Sequence, residues 1–346
     1  MSGTSLDGLD LALIEFSFNV KWNFRLLQAV TIPYPVEWKK KLSHAHLLTG
    51  SMLMALHVAY GRYLGIACNT FRRNNRLSGI DFVASHGHTI FHQPENGFTF
   101  QLGDGNTVHA ETGLPVVFDF RSLDVALGGQ GAPLVPIGDK QLFSAYDVCL
   151  NLGGIANLSM EVKGERKAFD ICFCNMALNF LMSSFGKPFD ENGRMAAKGS
   201  VDMKMLKAIS ARYESIRAKR PSIGREFFEQ QLVPIFSKAK LNPVDSLRTI
   251  CESITREISS AIPISKKKSR MLLTGGGALN SFLVNLLKDK VRSKVEVVIP
   301  SNEIIEFKEA ILFGFLGVLR VRNEINTLRS VTKAHKDSCG GTVVGM

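Results

Sequence analysis

The 346-residue sequence has little of what marks an exported, membrane-spanning or disulfide-stabilised protein. Six cysteines are too few for a disulfide framework in a chain of this length, and no CxxC pair suggests structural zinc. No run reaches ~18 uninterrupted apolar residues, and the start, MSGTSLDG, lacks the basic and apolar regions of a signal peptide. The sequence therefore predicts a cytoplasmic protein that does not span a membrane.

Two common phosphate-binding motifs are missing as well. No GxGxxG pattern follows a first strand, which argues against a Rossmann dinucleotide site. No GxxxxGKS or GxxxxGKT pattern is present, which argues against a Walker-type phosphate loop. Any phosphate bound by this chain must be held by other backbone turns.

The charge is unbalanced toward the positive, since 42 Lys and Arg against 31 Asp and Glu give +11. A basic protein attracts anionic partners such as nucleic acid, acidic lipid or a phosphorylated small molecule. The densest basic run, residues 266–270, has no interleaved aromatic residues and precedes an apolar strand-like stretch. It therefore favours a solvated loop over a nucleic-acid surface, and we predict no nucleic-acid partner.

The hydrophobic pattern predicts strands that alternate with helices. LALIEFSF and FRLLQAVTI are typical of two strands joined by a turn, and residues 36–75 have helical periodicity. Later strand patterns at 82–84, 148–160 and 271–274 are followed by glycines or helices. With ~100–200 residues per domain, the length predicts two α/β domains.

Four glycine-rich turns are the strongest candidates for chemistry, at residues 3–8, 128–131, 153–154 and 275–277. Glycine allows positive φ and close backbone approach, so amide N–H groups can converge on phosphate oxygens. Each turn alone is more often a tight turn without a ligand. Four in one chain favour a nucleotide site.

The first glycine loop also carries hydroxyl and carboxylate groups. Thr4 and Ser5 lie inside it, with Asp7 and Asp10 alongside. An aspartate beside phosphates commonly organises Mg²⁺ or its water ligands. The alternative is that these side chains cap the turn.

Six segments together resemble the anhydro-N-acetylmuramic acid kinases over nearly the whole chain: MSGTSLDGLD, SHGHTIFHQP, TFQLGDG, VVFDFRSLDVALGGQGAPLVP, NLGGIANL and LLTGGGALN. The resemblance implies a two-domain actin/hexokinase-like (ribonuclease H-like) α/β ATPase fold, with central mixed sheets and an interdomain cleft. Domain I would comprise residues 1–118 plus 303–346, and domain II residues 119–302.

The resemblance also implies an activity. Members of the family use ATP and Mg²⁺ to open the 1,6-anhydro ring of anhydro-N-acetylmuramic acid hydrolytically and to phosphorylate O6. The products are N-acetylmuramic acid 6-phosphate and ADP, in peptidoglycan recycling. We therefore expect a cytoplasmic homodimeric kinase with ATP and this anhydro sugar as its partners.

Site residues follow from the same resemblance, position by position. The family's catalytic aspartate, in Phe-Asp-Thr-Gly-Pro-Gly-Asn, aligns with Asp170, which is expected to act as general base on the attacking water. The expected sugar contacts are Arg121, Glu309, His88 and Asn175, with Gln101 and Asp119 as weaker candidates. The expected ATP contacts are Gly3, Thr4, Ser5, Leu6, Asp7, Gly8, Leu9, Asp10, Gly153, Gly154, Gly275, Gly276 and Gly277, with Asp7 as the candidate for Mg²⁺ through water.

Several alternatives stay open at this stage. Thr-Gly-Pro-Gly of the family is Ile-Cys-Phe-Cys here, at 171–174, so a catalytically silent sugar and nucleotide sensor is the alternative function. Arg121 could instead pair with Asp119 or Asp124. The histidines at 86, 88 and 92 could bind metal, although lining of the site is favoured. The cysteines at 172 and 174 could form a redox pair, although buried packing is favoured.

The start of the chain carries a further expectation. In the resembled family an apolar strand precedes the Gly-Thr-Ser loop, whereas only Met1 and Ser2 do so here. We expect that restoring ~5–10 residues of strand raises stability and ATP affinity. Equal melting temperatures with and without the addition would count against it.

Overall fold

The computed structural model of the chain describes residues 1–3, 6–221, 223–239, 242–263 and 268–346. Thr4 and Ser5, expected to bind ATP, and Lys266 and Lys267 of the basic run lie outside the described residues. Within these ranges, no helix is long and apolar enough to cross a membrane.

Strands and helices alternate through most of the described chain. The strands are β1 (Gly8–Asn19), β2 (Lys21–Pro33), β3 (Val83–Ala84), β4 (His88–Gln93), β5 (Phe98–Leu102), β6 (Val116–Phe118), β7 (Val148–Leu152), β8 (Ile155–Val162), β9 (Glu165–Phe173), β10 (Ser269–Thr274), β11 (Val295–Val298) and β12 (Thr342–Val344). The α-helices are α1 (Val36–His44), α2 (Gly50–Asn74), α3 (Gly105–Thr112), α4 (Ser122–Ala126), α5 (Pro136–Leu142), α6 (Asn175–Ser183), α7 (Met203–Lys219), α8 (Arg225–Phe227), α9 (Val233–Ala239), α10 (Pro243–Ala261), α11 (Ser281–Val291), α12 (Asn302–Val321) and α13 (Arg329–Thr332).

The chain divides into two compact units. Unit 1 comprises Met1–Leu142 with Phe307–Met346, and unit 2 comprises Phe143–Glu306. The first division therefore lies after Leu142 and not near residue 118, because Phe120 and Ile137 pack into an apolar cluster of unit 1. The second division lies within α12, four residues beyond the expected position at 302.

Unit 2 is built on a five-stranded sheet of order β11-β10-β7-β8-β9. β7, β8 and β9 are consecutive antiparallel strands, whereas β10 and β11 lie parallel to β7 on its other side. This order and these directions are those of a ribonuclease H-like ATPase domain, as expected from the sequence. β7 and β10 read as near-continuous apolar runs because both faces of these central strands are buried.

Helix α10 covers this sheet with one apolar face. Leu247, Ile250, Ile254 and Ile258 recur at helical spacing and are almost completely buried. The helix begins where the Asn242 side chain accepts a hydrogen bond from the Val244 N–H group at 3.0 Å. Burial of these four side chains stabilises unit 2 by roughly 1.5–3 kcal/mol each.

Unit 1 contains the long β1–β2 hairpin, a three-stranded sheet of order β12-β6-β3 and the short β4–β5 hairpin. The other edge of β1 faces a groove of about 960 Å³, with Ile80–Ala84 among its lining residues. Among the described residues, only the bridge between Ser2 and Leu9 pairs with that edge.

Candidate active site

Two glycine turns of unit 2 lie together because the strands before them are neighbours. Gly153–Gly154 follows β7 and Gly275–Gly277 follows β10, and these strands are adjacent and parallel. A Cβ atom on Gly277 would lie 2.7 Å from the Leu152 Cβ atom. The ends of parallel strands at one sheet edge are a common place for ligand binding. Unit 2 therefore brings together two of the turns expected to bind ATP.

Asn175 joins the same group. Its backbone N–H group donates to the Gly153 carbonyl oxygen at 3.1 Å, and its side-chain Nδ2 donates to the Leu152 carbonyl oxygen at 3.0 Å. Cys174 N–H donates to the Gly154 carbonyl oxygen at 2.8 Å. The sequence assigned Asn175 to the sugar, whereas the structure places it against the glycine turns at the start of α6.

Asp170 lies on β9, five residues before Asn175, and is half-buried. Its Oδ2 atom accepts a hydrogen bond from the Ile223 N–H group at 3.1 Å. Asp170 pairs with Asn157, but the next pairing joins Cys172 to Ala156, so β9 carries an extra residue at this point. Such a bulge changes the direction of neighbouring side chains and often occurs beside active sites.

The segment that departs from the family pattern, residues 171–174, lies in the core of unit 2. Its four side chains are each at most 1% exposed. Phe173 N–H donates to the Tyr213 hydroxyl oxygen at 3.1 Å. Burial raises the pKa of Cys174 to about 12 and that of Cys172 well above its ordinary value, so both thiols stay protonated. These features support packing rather than a redox pair.

The first glycine loop of unit 1 is described except at residues 4–5. Leu6 N–H donates to the Gly3 carbonyl oxygen at 3.3 Å, and the Asp7 side chain is exposed. Leu9 instead points into the core, with 1% exposure. The Asp10 carboxylate accepts from the Thr31 hydroxyl group at 2.7 Å, so it is bound to β2. The Leu9 side chain is therefore part of the core, whereas the exposed Asp7 side chain is accessible to a nucleotide.

Arg121 is held by a histidine that the sequence did not single out as its partner. Its Nε and Nη2 atoms lie 3.1 and 3.0 Å from His86 Nε2, and its Nη1 atom donates to the Gly131 carbonyl oxygen at 2.7 Å. Because arginine only donates, His86 Nε2 must accept, and the imidazole proton resides on Nδ1, 3.0 Å from the Gly87 carbonyl oxygen. The guanidinium also lies over the Phe313 ring.

The expected alternative for Arg121, an ion pair with Asp119 or Asp124, is not found among the described residues. Asp119 accepts from the Ser122 hydroxyl group at 2.5 Å. Asp124 is 1% exposed and accepts from the Gly131 N–H group and the Thr332 hydroxyl group, each at 2.7 Å. The Gly128–Gly131 turn is thus fixed by Asp124 and positions Arg121.

Arg121 and Glu309 interact electrostatically within unit 1. Burial lowers the pKa of Arg121 to about 10, and Glu309 opposes the shift. The Glu309 side chain is accessible to solvent on one side. Loss of hydration on its protein-facing side raises the pKa of its carboxyl group, and Arg121 opposes that shift. Arg121 therefore remains a cation at neutral pH, suited to a carboxylate or phosphate.

A cavity of about 130 Å³ in unit 1 lies beside these groups. Its polar lining includes His57, Ser85, His86, Gln101, Asp119 and Ser122. Gln101 and Asp119, the weaker candidates for sugar contact, both line this cavity, together with Ser85 and His57, which the sequence did not single out. The Gln101 Oε1 atom is buried without a hydrogen-bond partner in the described residues. A polar cavity of this size suits one small hydroxyl- or amide-bearing group.

His88 is placed differently from expectation. The side chain is 4% exposed, and its Nδ1 atom lies 2.9 Å from the Ser2 hydroxyl oxygen. Burial lowers the pKa of His88 to about 4. His86 and His92 also have protein partners, and no group of three metal-ligating side chains is found among the described residues.

Acid should therefore destabilise unit 1. The folded pKa of His88 lies below the ordinary value of 6.5, so the unfolded chain binds more protons between pH 4 and 6.5. The stabilisation that comes from keeping His88 neutral is present above pH 6.5, and the free energy of unfolding falls by about 2 kcal/mol as the pH is lowered to 5. His88→Asn keeps an acceptor for Ser2 without titrating, and chemical denaturation should show a flatter pH dependence. The exposed His46, changed to Asn, is the control, and an equal flattening there would contradict the assignment.

The fold and these sites define a class. A ribonuclease H-like sheet with glycine turns at adjacent strand ends and a half-buried aspartate on a neighbouring strand belongs to the actin/hexokinase-like phosphotransferases.

Comparison with known proteins identifies the family. The family model for anhydro-N-acetylmuramic acid kinase matches residues 1–345, and the chain belongs to this family. It is 34% identical to the anhydro-N-acetylmuramic acid kinase of Coxiella burnetii over 362 residues, covering 99% of this chain and 95% of the relative. It is 35% identical to that of Francisella tularensis subsp. novicida, covering 96% and 94%. A ROK family glucokinase from Streptomyces griseus, solved with glucose and AMPPNP, is 11% identical to the chain, with a TM-score of 0.38. The match covers 88% of this chain and 98% of the glucokinase, and this similarity is too weak to bear on function.

Proposed function

We propose that the chain is an ATP-dependent kinase that opens the 1,6-anhydro ring of anhydro-N-acetylmuramic acid and phosphorylates O6. The products are N-acetylmuramic acid 6-phosphate and ADP. The observation that carries the proposal is the match to the kinase family over residues 1–345. By the same resemblance we propose a cytoplasmic homodimer that acts in peptidoglycan recycling.

Asp170 is the general base in this proposal. Its carboxylate takes a proton from a water molecule, whose oxygen forms a bond to the anomeric carbon. The bond from that carbon to O6 breaks, and O6 receives the γ-phosphoryl group of ATP, so that ADP leaves. The Ile223 N–H group at 3.1 Å from Oδ2 supports this role, because it orients the carboxylate.

Backbone groups are proposed to bind the nucleotide. In unit 2, the turns at 153–154 and 275–277 offer N–H groups near the N-terminus of α6, which favours anions. In unit 1, the loop from Gly3 to Asp7 is proposed to bind phosphate, while Leu9 and Asp10 act structurally. Mg²⁺ commonly uses one or two carboxylates together with nucleotide phosphates, and the exposed Asp7 fits that requirement. When bound there, the ion would neutralise charge on the transferring phosphoryl group.

Arg121 is proposed to bind the lactyl carboxylate of the sugar. Its cationic state, its fixed position against His86 and its interaction with Glu309 support this assignment. His88 is not proposed as a direct sugar contact, because its side chain is buried against Ser2.

An ADP-release assay tests the proposal. With ATP and Mg²⁺, we expect turnover with anhydro-N-acetylmuramic acid and little with N-acetylmuramic acid or glucosamine derivatives. Calorimetric binding of the sugar without ADP release would instead indicate the silent sensor. That alternative is not favoured, because the family is one of kinases and Asp170 is retained.

A further inference from the structure

A chain of buried hydroxyl groups in unit 1 ends at the first glycine loop. The Tyr34 hydroxyl oxygen lies 2.6 Å from that of Tyr60, and the Tyr34 hydroxyl group donates to Ser2 Oγ at 2.7 Å. The Ser2 oxygen in turn lies 2.9 Å from His88 Nδ1. All four side chains are buried, and buried hydroxyl groups are costly unless they are bonded in this way.

Tyr34 also contacts the other end of the same loop. Its backbone N–H group donates to the Asp7 carbonyl oxygen at 3.4 Å. One residue thus binds Ser2 before the glycine turn and Asp7 after it. Tyr34 is itself fixed, because it follows β2 directly and its ring packs against Tyr60 and Tyr63.

The chain of hydrogen-bonded side chains extends through His88 to a second functional segment. This residue begins β4 and lies two positions after His86, which holds Arg121. The start of the loop and the segment that carries the Arg121 partner are therefore joined by the bond between Ser2 and His88.

We propose that Tyr34 is a positioning residue for ATP binding, because its hydroxyl group and backbone N–H group hold the two ends of the first glycine loop. The role rests on the proposed function, in which this loop binds ATP phosphates. When Ser2 and Asp7 are already held in place, less conformational entropy is lost as a ligand binds between them. Removing the Tyr34 hydroxyl group breaks its bond to Ser2 but keeps the aromatic packing.

Steady-state kinetics of Tyr34→Phe test the proposal. We expect the KM for ATP to rise about 5- to 10-fold, the equivalent of one neutral hydrogen bond. We expect kcat to change less than about twofold, because the loss affects ground state and transition state equally. Ser2→Ala should raise KM at least as much, and the double variant should have less than the summed effect, because both changes break the shared bond between Tyr34 and Ser2. Ser2→Thr keeps the hydroxyl group and should restore binding.

Tyr63→Phe is the matched control, since Tyr63 packs in the same aromatic cluster and its hydroxyl group is outside the bonded chain. A KM for ATP within twofold of wild type in Tyr34→Phe, an equal rise in Tyr63→Phe, or additive effects of Tyr34→Phe and Ser2→Ala would each overturn the role. Calorimetry with a non-hydrolysable ATP analogue provides the same comparison without sugar turnover. If the wild-type protein binds the analogue but phosphorylates no sugar, the kinase reaction is rejected, and the binding comparison among the variants still tests Tyr34. If the wild-type protein binds no nucleotide, the kinase reaction and the role of Tyr34 are both rejected.

Discussion

Asp170→Asn is expected to lower kcat by about 10²- to 10⁴-fold while the affinity for ATP stays within about twofold. Asparagine has the same shape and an oxygen that can still accept from the Ile223 N–H group, but it cannot take a proton from water. The loss should therefore appear in the chemical step alone. ADP release measures kcat, and calorimetry with an ATP analogue measures binding.

Asp147→Asn is the matched control for this variant. Asp147 also lies in unit 2 and accepts a backbone N–H bond, from Arg270 at 2.8 Å, but it precedes β7, at the opposite end of that strand from the Gly153 turn. We expect its kcat to stay close to that of wild type. If Asp170→Asn keeps more than about a tenth of wild-type kcat, Asp170 is not the base.

Gly275→Ala is expected to have the second largest effect, a loss of about 2–4 kcal/mol in stability together with at least tenfold weaker ATP binding. Gly275 has a φ of +81°, a conformation that alanine adopts only at a cost. A Cβ atom there would also overlap the Asn151 side-chain oxygen and lie 2.8 Å from the Leu152 backbone. Chemical denaturation and calorimetry measure the two losses.

Gly276→Ala separates these causes. At this neighbouring position the nearest atom to a new Cβ would be Asn175 Nδ2 at 3.5 Å, which is ordinary contact. We expect the free energy of unfolding to be nearly unchanged, so any weaker ATP binding reports close approach of the nucleotide to this turn. Equal stability of the Gly275 and Gly276 variants would contradict the described turn geometry.

The sheet of unit 2 and its turns could be predicted because the signals are local. The apolar runs before Gly153 and Gly275 identify buried parallel strands, and parallel neighbours end at the same edge. The run NMALNFLMSSF predicts a helix from Asn175, and α6 begins there. The amphipathic spacing from Arg248 to Ala261 also predicts a helix, but α10 begins earlier, at Pro243, because Asn242 caps it.

The contacts around Arg121 could not be predicted, because they join distant parts of the sequence. His86 lies 35 positions away, and the Thr332 that helps fix the Gly131 turn lies 208 positions from Asp124. Hydrophobic periodicity has no information on such pairs. The division after Leu142 was missed for the same reason, since it depends on tertiary packing of Phe120 and Ile137.

The burial of His88 was missed for a different reason. A histidine two residues from another on a strand-like segment could face a ligand or the core, and spacing does not distinguish these cases. The His88 side chain faces the core because it bonds the Ser2 hydroxyl group, which lies 86 positions away in the sequence.

The reaction in ¹⁸O-labelled water tests whether the chain opens the anhydro ring with water and phosphorylates O6. The protein is incubated with ATP, Mg²⁺ and anhydro-N-acetylmuramic acid, and the products are analysed promptly by mass spectrometry. Because water attacks the anomeric carbon and O6 receives the phosphoryl group, we expect N-acetylmuramic acid 6-phosphate with one ¹⁸O on the sugar and none in the phosphate. Label found in inorganic phosphate, with no phosphorylated sugar formed, would contradict it.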